Sequence, residues 1–204
     1  MMCPDRVFSA DISARFFAGI NEGIVVECGA LNGLWGSVGY VFEERGWTSY
    51  NIEPNPHCSK ELASNRIMST NLFYALSNSN GTARFTFDMN DPLNDMAAGG
   101  SIVWGADSYM HGRGTETVRQ IDVETKTYKS FVKENDIKQI DLFILDVEGS
   151  ELNVLEGIGD CEVLPTVWVV EDNHIDVDSL WDKLVDMGYE SDGRYKNNSY
   201  FRKK

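Results

Sequence analysis

Residues Val25 to Gly36 read VVECGALNGLWG, and this stretch decides the fold. Ile24-Val25-Val26-Glu27-Cys28 is β-branched and almost wholly apolar, which suits a strand buried on both faces of a parallel sheet. Such a strand needs helices on either side, so an α/β architecture follows. Gly29 and Gly33 then open a turn into a helix expected from about Leu34 to Arg45, with Gly46 as its stop. Glycines at this point admit positive φ and let the backbone approach a ligand closely. A dinucleotide site would carry G-x-G-x-x-G, with a pyrophosphate at the helix N-terminus. Here the spacing is G-x-x-x-G, and Glu27 just before it would repel a pyrophosphate while suiting a cationic amino-acid group. A tight βα turn with a solvated glutamate explains the same residues as simply.

Working outward, a second strand covers Thr48 to Glu53, where Pro54 and Pro56 break it, and His57 to Asn65 reads as a helix. Glu53 ends that strand, at the place where an acid accepts both hydroxyls of a ribose. Two acids in register at the ends of adjacent strands point to a nucleoside cofactor more specifically than either alone. Glu27 beside G-x-x-x-G suits the cationic amino-acid end of one such cofactor, S-adenosylmethionine.

Upstream, an opening helix is expected from Ile12 to Ile20. Ile67 to Leu76 reads as a third strand, followed by the turn Asn78 to Gly81 into Thr82 to Phe87, a half-exposed hairpin. Residues 88–114 are rich in Gly, Asp, Asn and Met and are too long for a plain connection. They read equally as a lid, with His111 in it, or as an ordinary surface loop. The regular pattern resumes with a strand at Thr117 to Val123 and a helix at Tyr128 to Asn135. It continues with a strand at Asp141 to Asp146, a helix at Glu151 to Glu156 and a strand at Thr166 to Glu171. The amphipathic stretch Ser179 to Met187 follows, and residues 189–202 close the sheet as an antiparallel pair.

The third informative segment is DLFILDVEGSELNVLEG, Asp141 to Gly157. Its apolar strand delivers Asp146 and Glu148 to a C-terminal end, where open α/β sheets place ligands. Two carboxylates there cost solvation unless something uses them. Gly149 makes the turn, Ser150 is the expected N-cap, and Glu151 is explained by the positive end of the helix it starts.

The net charge of −14, from 32 acidic against 18 basic residues, disfavours nucleic acid as a partner. Cys3, Cys28, Cys58 and Cys161 form no C-x-x-C pair and read as isolated thiols in a reducing compartment. No apolar run is long enough to span a membrane, and the N-terminus lacks a signal-peptide core. One cytoplasmic domain over residues 1–204 is expected, with a hairpin and lid insertion around 78–124; the oligomeric state is left open.

These segments together resemble the FkbM family of class I S-adenosylmethionine-dependent methyltransferases, over about Gly23 to Tyr189. The likeness rests on ECGALNG, on IEPNP, on Ala75-Leu76-Ser77 before a G-x-x-x-F hairpin (Gly81, Phe85), and above all on IDLFILDVEGSE with VLEG after it. It implies a Rossmann-like, seven-stranded sheet, mostly parallel with an antiparallel C-terminal strand and helices on both faces. It implies an O-methyl transfer onto a hydroxyl of a sugar or other small natural product. Carried over residue by residue, Glu27, Gly29, Ala30 and Gly33 would hold the methionine end of the cofactor and Glu53 its ribose. Pro54 and Asn55 would shape the turn after Glu53, and Ala75, Leu76 and Ser77 would lie near the adenine. Asp146 would sit by the sulfonium and the acceptor, with Glu148 and Glu171 beside it. The chain departs from the family at Glu27, where Asp is usual, at Ile144, where Lys is common, and at Lys126-Thr127-Tyr128.

A hydroxyl acceptor needs its proton removed by a base or acidified by a metal. Asp146, Glu148, Glu171 and His174 are the candidate bases, although His174 reads as well as a solvent-exposed loop residue. Asp146, Glu148 and Glu171 are also the candidate ligands of a Mg²⁺ ion. A nicotinamide-dependent oxidoreductase on the same architecture, or a non-catalytic S-adenosylmethionine-binding module, are the rival readings. Gly29→Val is expected to abolish cofactor binding in a folded chain.

Overall fold

In the computed structural model of the protein, residues 4–89, 100–103 and 118–204 are described. Strands β1 (Ile24–Cys28), β2 (Thr48–Ile52), β3 (Thr70–Leu72), β7 (Leu142–Leu145), β8 (Val167–Glu171), β9 (Tyr189–Tyr195) and β10 (Asn198–Lys203) form one sheet in the order β3-β2-β1-β7-β8-β10-β9. The first five run parallel, and β10 lies antiparallel to both β8 and β9. This is the sheet that the apolar runs predict.

Alternate residues of the central strands serve two cores, as the period of two requires. Val26, Cys28, Phe143, Leu145, Trp168 and Val170 pack with Tyr128 and Phe131 of α4 (Tyr128–Glu134), Val154 of α5 (Glu151–Glu156) and Leu180 of α6 (Val177–Asp186). Val25, Leu142, Ile144, Val167 and Val169 face the other way, against Phe8 and Ile12 of α1 (Arg6–Phe16) and Phe42 of α2 (Gly39–Glu43). The chain leaves β1 toward β2 on one side and returns as β7 on the other. That reversal is the topological switch point, where strand ends diverge and leave a crevice.

Several elements differ from expectation for local reasons. Helix α1 starts at Arg6 rather than Ile12 because Asp5 caps it, its carboxylate accepting from Phe8 N at 2.9 Å. Helix α2 begins at Gly39 rather than near Leu34, because Leu31, Gly33 and Gly36 all adopt positive φ and carry the chain through turns first. Ser150 holds the N-cap position of α5, yet its buried hydroxyl makes no bond. Glu151 folds back instead and accepts from Val147 N at 3.0 Å and Gly149 N at 3.3 Å. Helix α3 (Pro56–Asn65) is capped by Asn55, whose side chain accepts from His57 N.

The expected third strand splits between two sheets. Thr70–Leu72 extends the main sheet beside β2, whereas β4 (Ala75–Leu76) pairs parallel with β6 (Val118–Lys126). The partner of β5 (Gly81–Asp88) is also β6, in antiparallel register from Gly81↔Thr125 to Asp88↔Val118. The hairpin is thus closed by the segment between β5 and β6, not by the Asn78–Gly81 turn. Most of the expected lid, including His111, lies outside the described residues. Among the described residues, no helix is long and apolar enough to cross a membrane.

Candidate active site at the switch point

The loop after β1 folds over the end of β2, where Gly29 N and Ala30 N both donate to Ile52 O, at 3.0 and 3.2 Å. Its first glycine has a packing role. Gly29 has φ +94°, and a Cβ there would stand 1.7 Å from the carbonyl oxygen of Asp146. The two strand ends touch through this hydrogen-only position, so Gly29→Val cannot leave the fold intact. That corrects the expectation of a folded, non-binding variant. Gly33 likewise makes room for protein, since its Cβ would meet Arg66 Cγ at 2.5 Å and Leu62 Cδ1 at 2.7 Å.

Glu27 is committed inside the protein. Its Oε1 accepts from Val38 N at 2.7 Å and Gly39 N at 3.1 Å, and its Oε2 from Ser37 Oγ at 2.6 Å and Arg66 Nη1 at 3.4 Å. The carboxylate thereby caps α2 and neutralises a fully buried guanidinium. The same residue lines the cavity beside the β1 loop, so it both supports the loop and stands where the methionine end of the cofactor is expected.

Glu53 is buried, and its two oxygens accept one backbone N–H each, from Asn55 and from Leu31, both at 2.8 Å. Burial pushes its pKa up to about 7, against the pull of those two bonds, and the charge of Asp146 adds to the rise. Each oxygen keeps a lone pair, so a diol could complete the shell that burial has stripped of water. Pro54 and Asn55 form the turn that holds it, Asn55 Oδ1 accepting from His57 N at 3.0 Å. Ala75 and Leu76 pass over the end of β1, where Leu76 N–H bonds the Cys28 thiol. Ser77 follows, its carbonyl packed so closely on Gly157 that a Cβ there would lie 2.2 Å away.

Asp146 leaves β7 beside Cys28, its N–H donating to Cys28 O at 3.0 Å. Burial, then the charge of Glu148, holds its carboxyl above the usual range. Glu171 is raised further, by burial and by Asp146 and Glu148. Asn197, from the turn between β9 and β10, donates to Glu171 Oε1 at 2.5 Å. His174 Nε2 stands 3.2 Å from Glu148 Oε2, and Glu148, Glu171 and His174 offer ligand atoms within 4.8 Å of one another. Of the three expected metal ligands, Asp146 lies outside that group and His174 takes its place.

A cavity of about 250 Å³ lies beside the β1 loop, lined by Glu27 and Asp146 but not by Glu53, Glu148, Glu171 or His174. Gly29, Ala30, Leu31 and Asp146 line it, together with Trp35, Gly36 and Ser37 of the β1 loop and Tyr195, Lys196 and Asn197 of the β9–β10 turn. Gly36 lines the cavity where Gly33 does not, and its φ of +66° with open space beyond is the local signal for it. Lys196 and Asn197 carried no sequence signal beyond a hairpin turn. The glycine-rich loop with Glu27, the diol-competent Glu53 at the end of β2 and the carboxyl of Asp146 fit S-adenosylmethionine, while Gly33 holds the loop from behind.

Among solved structures, the chain is similar to the proposed RNA methyltransferase PH1948 from Pyrococcus horikoshii. The identity is 10%, the TM-score 0.50, and the match covers 96% of this chain and 81% of that one. A TehB-like SAM-dependent methyltransferase from Corynebacterium glutamicum aligns at 10% identity and TM-score 0.47, over 96% and 86% of the two chains. The former likeness shows the shared fold. No curated protein matches the sequence. The Methyltransferase FkbM domain matches residues 27–191, from Glu27 near the end of β1 into β9. This chain therefore belongs to the FkbM methyltransferase family and is an S-adenosylmethionine-dependent methyltransferase.

Proposed function

We propose that the enzyme methylates a hydroxyl oxygen of a small, ring-bearing acceptor, a sugar or another small natural product, and that Asp146 receives the hydroxyl proton. The observation that carries this reading is the cavity that brings Asp146 together with the β1 loop and the rings of Trp35 and Tyr195. S-adenosylmethionine, when bound, supplies an electrophilic methyl group on its sulfonium. The chain's share is then positioning and proton removal. The β1 loop and Glu53 orient the cofactor, the aromatic walls seat the acceptor ring, and Asp146 takes the proton over hydrogen-bond range. The small cavity and the net charge of −14 favour a small molecule over nucleic acid.

Screening hydroxyl compounds for S-adenosylhomocysteine release tests the acceptor class. With a confirmed acceptor, Asp146→Asn should fold normally and turn over about 100-fold more slowly, the usual contribution of a positioned base. Asparagine keeps the backbone bond to Cys28 and the side-chain shape, so a wild-type rate would place proton removal elsewhere.

Two predictions concern Glu53. Glu53→Ala should weaken S-adenosylhomocysteine by about 1.5–3 kcal/mol in calorimetric titration, the scale of lost charge-assisted bonds. Unchanged affinity would remove Glu53 from the site. The second follows from its pKa, which rises from 4.5 in the unfolded chain to about 7. Between those values the native state holds a proton that the unfolded chain has lost. Stability from this group is therefore present at low pH and falls as pH rises through the window, by roughly 3 kcal/mol in all. Cofactor affinity should move the opposite way, rising with pH through 7 as the carboxylate ionises. Urea unfolding and calorimetry from pH 5 to 8 would show both trends, and Glu53→Gln should lose this share of each.

A further inference from the structure

We infer that Glu148, Glu171 and His174 form a binding site for one divalent first-row transition ion, of the manganese or zinc kind, rather than for magnesium. The three donors lie within 4.8 Å of one another before any ion draws them together. Ligands at ~2.0–2.2 Å from a shared ion stand at most ~4.4 Å apart, so a small side-chain adjustment closes the set. They come from two adjacent parallel strands: Glu148 from the turn after β7, Glu171 from the end of β8, and His174 from the loop beyond it.

An independent observation concerns Glu171. The residue is only 8% exposed, Oε1 takes the amide of Asn197, and among the described residues no N–H or hydroxyl donor reaches the buried Oε2, the carboxyl pairing instead with that of Asp146. Buried acceptor atoms without a donor are rare. A His174–Glu148 ion pair accounts for the 3.2 Å contact at the open side, and Glu171 shares a side-chain hydrogen bond with Asp146, so a cation bound here would displace the proton those two carboxyls share. A cation suits Glu148, Glu171 and His174 at once, because the charges of Asp146 and Glu148 act on the Glu171 carboxyl and a positive ion would offset that repulsion. The Asn197 bond would hold the Glu171 carboxylate in its ligating orientation. One imidazole nitrogen with two carboxylates is a softer donor set than the all-oxygen, water-rich shell that Mg²⁺ prefers.

The position also gives the ion a use. Beside Asp146 it would take the acceptor's hydroxyl oxygen and lower its pKa. That use rests on the proposed hydroxyl chemistry, whereas metal binding itself does not. The full chain, stripped with EDTA, should therefore be titrated with Mn²⁺ by electron paramagnetic resonance, and with Zn²⁺ and Mg²⁺ by calorimetry. One Mn²⁺ or Zn²⁺ per chain is expected, bound at least tenfold more tightly than Mg²⁺. His174→Ala, at a 40% exposed side chain, should weaken Mn²⁺ at least tenfold without altering the metal-free melting temperature. Glu171→Gln should do the same if it remains folded. Absence of saturable Mn²⁺ and Zn²⁺ binding, tighter binding of Mg²⁺, or wild-type Mn²⁺ affinity in folded His174→Ala would overturn the site. Metal binding without any methylated hydroxyl acceptor would leave the site standing and refute only the acceptor class.

Discussion

Arg66→Ala should destabilise the protein by about 3–5 kcal/mol, the cost of leaving buried charge without its partner. Arg66 is fully buried at the C-terminus of α3. Its guanidinium bonds Glu43, Gly33 O at 3.1 Å, Ser37 Oγ at 3.2 Å and Ser49 Oγ at 2.9 Å, and lies 3.4 Å from Glu27. Removing it takes the ionic partner from both Glu43 and Glu27, the latter only 4% exposed, and unfastens the β1 loop from α3. Lysine would not replace it, since one ammonium cannot serve partners that a planar fork reaches in several directions. Urea unfolding measures the loss, and a double-mutant cycle with Glu27→Gln apportions it. Unfolding at the wild-type urea concentration would show that this network does not hold the loop. Because the loop lines the cavity, cofactor affinity should fall with stability.

Gly29→Val should cost on the order of 4 kcal/mol, from left-handed backbone strain together with overpacking against a neighbouring strand. The obstacle is the Asp146 carbonyl oxygen, 1.7 Å from where the first side-chain atom would be. A side chain could rotate away, but this atom is backbone, held by Asp146 N donating to Cys28 O at 3.0 Å. Relief requires β1 and β7 to part at their C-terminal ends, next to the proposed base. The variant should melt far below the wild type or fail to accumulate in folded form. A stable, cofactor-binding Gly29→Val protein would mean that the two strand ends do not meet as described.

These two residues separate what was legible in the chain from what was not. Strands β1, β2, β7 and β8 are readable because burial on both faces writes an unbroken apolar run, whatever lies beside it. The acids that follow β2 and β7, Glu53 and Asp146, are readable for the same reason, since the residue just past a strand falls at the sheet's C-terminal edge. Helix α2 was misplaced because its sequence permits a helix from Leu34. Only the positive φ values through Gly36 and the capping by Glu27 delay it to Gly39. The pairing of β4 and β5 with β6 was hidden, since β-pairing is decided by which distant segment supplies the matching ladder.

The sequence by itself determined the α/β sheet, its switch point, and the set of acids delivered there, because these depend on local periodicity and on chain order. Only the tertiary structure decided what each group does. Gly33 belongs to the scaffold because Arg66 arrives from another helix to meet it, and Glu27 serves both that network and the cavity wall. Gly29 is required by the backbone of a neighbouring strand, and His174 comes within 4.8 Å of Glu148 and Glu171. Each assignment rests on contacts between residues far apart in the chain, where packing, not propensity, sets the distances.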